Sequence, residues 1–328
     1  MSKLIFFTVL LCSIVGVARG VDLQDVLTTL TEVPFARLLD SFIVPAPRTT
    51  GFETLVPQRD IQLLCTNSWI PLFQNVSVND IDVTRKLNFS QPLSIAIHGW
   101  QDANYTLYNS MTLRHLRYVK NTNYCMVDWK PYADYAYEIA ARKGVPVVTD
   151  RLFKFLQYIS VLNFPLEKVS LIGFGMGAQI AGLTGKLLPG RIGNIYALDP
   201  AGPLFSHPID VGPTRRLAGT DAQYVQVIAT SRYTVGSGLL VGTQNFLPNA
   251  GYHPQATCKV GIIGLAELAN ALVCSHQYAA KLFIDTLDPA SVILGQKCNL
   301  FLGLRVCLLL PTDRLGYYSK RIPGNFYL

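Results

Sequence analysis

Several things this chain lacks narrow its class. It has no Lys/Arg block: the formal net charge of +7 is spread along the sequence, and nucleic acid is not implied. It has no internal repeat, no low-complexity segment and no linker-like stretch, so a single domain is the simplest organisation. No cysteine spacing resembles a zinc site, and no metal is expected. After the first residues there is no apolar run long enough to span a bilayer. Histidine is scarce, with five in 328 residues, which keeps the search for acid–base chemistry short.

What is present begins with a leader. Met1-Ser2-Lys3-Leu4-Ile5-Phe6-Phe7 carries one positive charge into an apolar run that reaches Val17, followed by Ala18-Arg19-Gly20. This predicts a secretory signal over residues 1–20 and a mature start near Val21. A membrane anchor is the poorer reading, because the run is shorter than about 18 residues. Loss of Lys3 and Arg19 lowers the net charge from +7 to +5. Residues 21–328 then form one domain. Six cysteines remain, Cys65, Cys125, Cys258, Cys274, Cys298 and Cys307, and an even count in a secreted chain points to disulfides. Asn75, Asn88 and Asn104 each open a glycosylation sequon.

Patterning predicts an α/β fold. Residues 21–60 read as a short helix or two and then extended loop. Strands are expected at 61–65, 92–97, 123–129, 169–174, 192–198 and 222–230, and helices at 107–119, 145–162 and 276–287. Strands apolar throughout, alternating with helices, imply a mostly parallel central sheet covered on both faces.

The chemistry converges on Val169 to Gly182, an apolar strand, a glycine turn and a helix of small residues. Two kinds of site use such a unit. Gly173, Gly175 and Ala178 fit the dinucleotide fingerprint, with Asp199 spaced to take ribose hydroxyls. Gly173 and Gly177 fit the nucleophile elbow G-x-S-x-G, with Gly175 at the serine position. The first reading would make the chain an NAD-binding oxidoreductase, which suits a secreted chain poorly. The second explains more residues and needs no cofactor. An acid and then a histidine should follow the elbow. Asp199 stands at a strand end, and His276 follows it, at a loop–helix junction behind Cys274. The other histidines sit before Gly99 (His98), inside a helix (His115) or before prolines (His207, His253). The amides of Trp100 and Met176 would form the oxyanion hole.

On these residues the sequence resembles the pancreatic-lipase family of animals, especially its insect branch of lipases and phospholipases A1. Ile97-His98-Gly99-Trp100 is similar to the family's oxyanion segment and Val127-Asp128-Trp129 to its next strand end. Val169 to Gly182 resembles its elbow, and Leu198 to Pro203 the segment of its catalytic aspartate. Phe246 to Gly251 is similar to the block before its lid, and Cys274-Ser275-His276 to the segment of its catalytic histidine. The resemblance covers about residues 60–328 in family order. It implies an α/β-hydrolase fold without the family's C-terminal β-sandwich, bridges Cys258–Cys274 and Cys298–Cys307, and a lid between Cys258 and Cys274. That lid would contain Ile262, Ile263, Leu265, Leu268 and Leu272, although a core helix fits the same apolar strip. Cys65 and Cys125 have no clear family counterpart and are either buried thiols or a third bridge. The implied partner is a lipid or acyl chain, with a lipid surface for the lid; oligomeric state is left open.

The chain departs from the family at Gly175, because acyl transfer needs an oxygen or sulfur nucleophile. Ser170 lies five residues back on the strand, roughly 16 Å away. Phe174 and Gln179 also stand where active lipases carry histidine. Glycine relieves the backbone strain an elbow imposes, about 1–3 kcal/mol for another residue. Family members without the serine include the yolk proteins of flies. The expectation is a non-catalytic lipase-fold protein that binds, carries or stores lipid, against the alternative of an active triacylglycerol lipase or phospholipase A1.

Overall fold

The computed structural model describes residues 39–40, 46–67, 70, 72–102, 106–258, 265–301 and 304–328. The expected signal, the Val21 start and the Asn104 sequon lie outside them. Four helices of more than ten residues are described: α1 Thr106–Tyr118, α2 Val145–Val161, α3 Met176–Lys186 and α4 Leu265–Asp285. The strands are β1 Gln62–Asn67, β2 Gln74–Val76, β3 Leu93–Ile97, β4 Asn123–Asp128, β5 Val169–Phe174, β6 Asn194–Leu198, β7 Tyr224–Ile228, β8 Gln244–Leu247, β9 Leu294–Lys297, β10 Asn299–Phe301, β11 Leu304–Val306, β12 Thr312–Arg314 and β13 Gly324–Tyr327.

Eleven of these strands form one sheet in the order β12-β9-β13-β8-β7-β6-β5-β3-β4-β1-β2, and β10 pairs with β11 apart from it. The run from β13 to β4 is parallel. Antiparallel strands finish both edges. Strands β3, β5 and β7 are buried at every residue, as expected where helices cover both faces. Alternate residues serve two cores. Leu171, Ile195 and Ala197 point to the face covered by α2 and α3, while Ile172, Tyr196 and Leu198 join Met111 of α1 and Phe283 of α4 on the other. Helix α2 shows why it folds: Pro146 sits in its first turn, and Val145, Val148, Leu152, Phe155, Leu156 and Ile159 recur at helical spacing on its buried side.

This is the α/β-hydrolase fold, so the expected class holds. The six expected strands and three helices are present, with boundaries shifted by a few residues. One boundary is corrected substantially. The helix expected from His276 begins at Leu265. Residues 265–285 contain no glycine or proline, so nothing halts helix propagation before His276.

Three disulfides are described. Cys258–Cys274 and Cys298–Cys307 pair as the family resemblance implied. Cys65 and Cys125 form the third bridge, facing each other across β1 and β4 in register. This bridge closes a loop of 60 residues, against 9 for Cys298–Cys307. Loop-closure entropy therefore makes it the more stabilising of the two, at about 4 kcal/mol. The variant Cys65→Ala/Cys125→Ala should lower the urea unfolding free energy by about that amount, and Cys298→Ala/Cys307→Ala by clearly less.

His115 is a packing residue. It is fully buried on α1 against Tyr124 and Tyr317. Neither ring nitrogen has a hydrogen-bond partner, and burial pulls its pKa down to about 3. The unfolded chain binds this proton near pH 6.5 and the folded chain only near 3. The neutral ring's contribution is thus complete above about 6.5 and lost as pH falls toward 3, by up to about 1.4 kcal/mol per pH unit. His115→Phe should flatten the acid limb of a stability-versus-pH curve across that window and leave the neutral-pH value nearly unchanged.

Candidate active site

The site is built at the C-terminal ends of β3, β5 and β6, and its geometry starts from a close backbone approach. An added Cβ on Gly177 would stand 2.1 Å from the Ile97 carbonyl oxygen and 2.5 Å from that of His98. One on Gly173 would stand 2.4 Å from the Gly177 carbonyl oxygen. Both contacts are with backbone, which cannot swing aside. These two glycines let α3 start directly above β5 and against the end of β3. They are the outer glycines of the elbow pattern, and the dinucleotide pattern gives no role to Gly177.

Between them Gly175 has φ 56° and ψ −117°, a region that a side chain occupies only under strain. Its N–H donates to the Leu198 carbonyl at 3.1 Å, and its own carbonyl accepts from Ala201 at 3.0 Å. An ideal Cβ on Gly175 would lie 3.0 Å from His276 Nε2. The elbow therefore aims its missing side chain at the histidine.

His276 Nδ1 and Asp199 Oδ2 are 2.6 Å apart. Asp199 is fully buried. Its Oδ1 accepts from the amides of Thr230 at 2.8 Å and Ser231 at 3.1 Å, and the Ser231 hydroxyl donates to Oδ2. With these donors in place the carboxylate has no free position for a ribose, which removes the acid that the dinucleotide reading needs. Bonded this way, Asp199 orients the ring so that Nε2 faces Gly175. The Phe174 ring lies 4.4 Å from the imidazole, centroid to centroid.

His276 sits in the middle of α4, not at a loop–helix junction. Its height is set by the loop before the helix. The Gln255 side chain donates to the carbonyls of Thr230 at 2.9 Å and Pro248 at 3.0 Å, and the Gln255 amide donates to Ser275 Oγ at 3.1 Å. The Cys258–Cys274 bridge ties the same loop to the helix. Sequence reasoning missed Gln255; the only signal was its place just before Cys258.

The oxyanion side is equally braced. Met176 opens α3, so its amide is among the first-turn donors without an intrahelical partner. Among the described residues no hydrogen bond takes up the Trp100 amide. Trp100 Nε1 donates to the Tyr135 carbonyl at 2.7 Å, and its ring packs edge-on against Tyr137. His98 supports this loop from beneath. Trp129 N–H donates to His98 Nε2 at 3.1 Å, so Nδ1 carries the proton and donates to the Gly99 carbonyl at 2.8 Å. Asp102 was also missed. Burial pushes its carboxyl pKa up, opposed by His98 and His276, and its Oδ2 is buried without a partner.

The remaining residues fall as follows. Ser170 is at the far end of β5, where its hydroxyl accepts from Asn194 at 2.9 Å. Gln179 is buried and structural, joining the Ala201 carbonyl at 2.7 Å to the Leu217 amide at 2.8 Å. Of the expected lid, Ile262 and Ile263 lie outside the described residues. Leu265, Leu268 and Leu272 lie in the first turns of α4, continuous with His276. Asn75 is exposed on β2. Asn88 is only 7 % exposed and its Oδ1 accepts from Ser90, so the fold gives a glycan little room there. No metal-binding cluster occurs among the described residues, and none of their helices is long and apolar enough to cross a membrane.

A parallel sheet, an elbow and an aspartate–histidine pair behind it define an α/β hydrolase by architecture. The Lipase family profile matches residues 51–322, and the chain belongs to that family. It is 28% identical over 277 residues to pancreatic lipase-related protein 2 of Cavia porcellus, covering 80% of this chain and 60% of that one. It is 30% identical over 230 residues to hepatic triacylglycerol lipase of Mus musculus, covering 65% and 44%. The chain thus spans about half the length of these relatives. A phospholipase/carboxylesterase structure from Dyadobacter fermentans aligns with 66% of this chain and 82% of its own, at 10% identity and TM-score 0.35; the fold assignment rests on the sheet order instead.

The backbone contact at Gly177 yields a prediction. Gly177→Ala should lose stability at the upper end of the about 1–3 kcal/mol typical of overpacking, or beyond it. Urea unfolding measures this, and a variant as stable as the parent would mean that β3 and α3 are not in this contact.

Proposed function

We propose that this is a secreted lipase-family protein that binds or carries lipid, as a yolk-type store does, and does not hydrolyse esters. One observation carries the reading: His276 and Asp199 are paired and aimed at the elbow, and the residue there is glycine. Among the described residues no substitute nucleophile supports the opposite view. The Ser231 hydroxyl is buried and donates to Asp199, on the side of the histidine away from Gly175. Ser275 Oγ is buried and accepts from Gln255. The three disulfides are in keeping with secretion, and the family's lipases suggest an acyl lipid as ligand.

The relatives named as lipases favour the alternative, ester hydrolysis, and so does the intact His276–Asp199 pair. The two readings separate by assay. Loss of a triad serine typically costs on the order of a millionfold in turnover. Wild-type protein should therefore show no turnover of p-nitrophenyl butyrate or a phospholipid above background, and acyl lipids should co-purify with it by mass spectrometry. Gly175→Ser should bring a hydroxyl within reach of His276 Nε2, after the ring gives way by a few tenths of an ångström. That variant should gain measurable hydrolysis and lose about 1–3 kcal/mol of stability. Wild-type turnover at ordinary enzyme rates, abolished in His276→Ala, would overturn the non-catalytic reading.

A further inference from the structure

Two adjacent leucines project from the far edge of the sheet. Leu308 is 79% exposed and Leu309 96%. They are the central residues of a tight turn closed by a hydrogen bond from Leu310 N–H to the Cys307 carbonyl at 3.3 Å. Leu309 has φ 60°, the conformation that glycine or asparagine takes at the third position of such a turn. Leucine is unfavourable here on two counts, backbone conformation and solvation. The turn is also held rigidly. Gln296 Nε2 donates to the carbonyls of Cys307 at 3.2 Å and Leu310 at 2.6 Å, and the Cys298–Cys307 bridge anchors its start.

We infer that this turn is a docking point for an anionic lipid surface. A convex tip of two leucines suits insertion among acyl chains rather than packing on a flat protein face. The adjoining C-terminal chain carries positive charge. From residue 291 to the end the bases are Lys297, Arg305, Arg314, Lys320 and Arg321, and the acid is Asp313 alone, which is buried. Arg305 is exposed three residues before the tip. The excess positive charge attracts anionic headgroups and works against a second copy of the same face.

The inference stands whether or not the site at Gly175 hydrolyses anything.

The test is flotation of the full chain with phosphatidylcholine vesicles, with and without roughly a third phosphatidylserine. Wild type should float with the anionic vesicles. Leu308→Ser/Leu309→Asn should weaken this by about tenfold or more per leucine, and Arg305→Ala by about fivefold on anionic vesicles only. Asparagine accepts positive φ, so the double variant should unfold at or above the wild-type urea midpoint, which separates lost binding from lost folding. The inference is overturned if wild type binds no vesicles, or if the double variant binds as wild type does while Leu265→Ser/Leu268→Ser does not. It is equally overturned if sedimentation shows a dimer that the double variant dissolves, with no vesicle binding.

Discussion

The site depends on one contact between backbones, the approach of Gly177 to the carbonyls that end β3. It brings the start of α3 down onto the sheet and leaves the turn at Gly175 no freedom. The Asp199 loop is then tied to that turn through the Leu198 carbonyl and the Ala201 amide. Asp199 fixes His276, and His276 faces back to Gly175. Each step uses donors or acceptors of the scaffold itself, so the arrangement survives without any side chain at its focus.

Much of this was legible in the sequence, for physical reasons. Gly173 and Gly177 flank the elbow because only glycine fits there, and Asp199 ends a strand of continuous apolar residues. The histidine's setting was not legible. A cysteine and a serine before His276 suggested a helix start, but propagation through Leu265 to Val273 needed no cap, and the helix simply began earlier. Strands β9, β12 and β13, at one side of the sheet, escaped notice because they are short and carry polar residues such as Gln296, Asp313 and Asn325. The partner of Cys65 could not be read from spacing, since it depends on β1 returning beside β4. Gln179 and Gln255 look like ordinary polar residues in sequence; both are buried and join loops that lie far apart in the chain.

The structure gives Phe174 and Gln179, which flank the elbow in sequence, a structural reason. Phe174 packs on the imidazole, and Gln179 satisfies one carbonyl and one amide beneath the elbow. Residues around the elbow thus contribute to the scaffold's packing and bonding.

The four-donor environment of Asp199 bears on how such a site decays over evolutionary time. Replacing the serine relieves strain and leaves only His276 Nε2 without that partner, on a ring that is not fully buried. Replacing Asp199 strands two amides, a hydroxyl and an imidazole in a buried place, a far larger penalty. The triad is therefore asymmetric to drift: its nucleophile is disposable once selection for turnover ends, while its acid is retained by stability alone. An intact aspartate–histidine pair is thus held by the fold's own bonding as well as by any reaction, and the residue at the elbow is the sharper report on present chemistry.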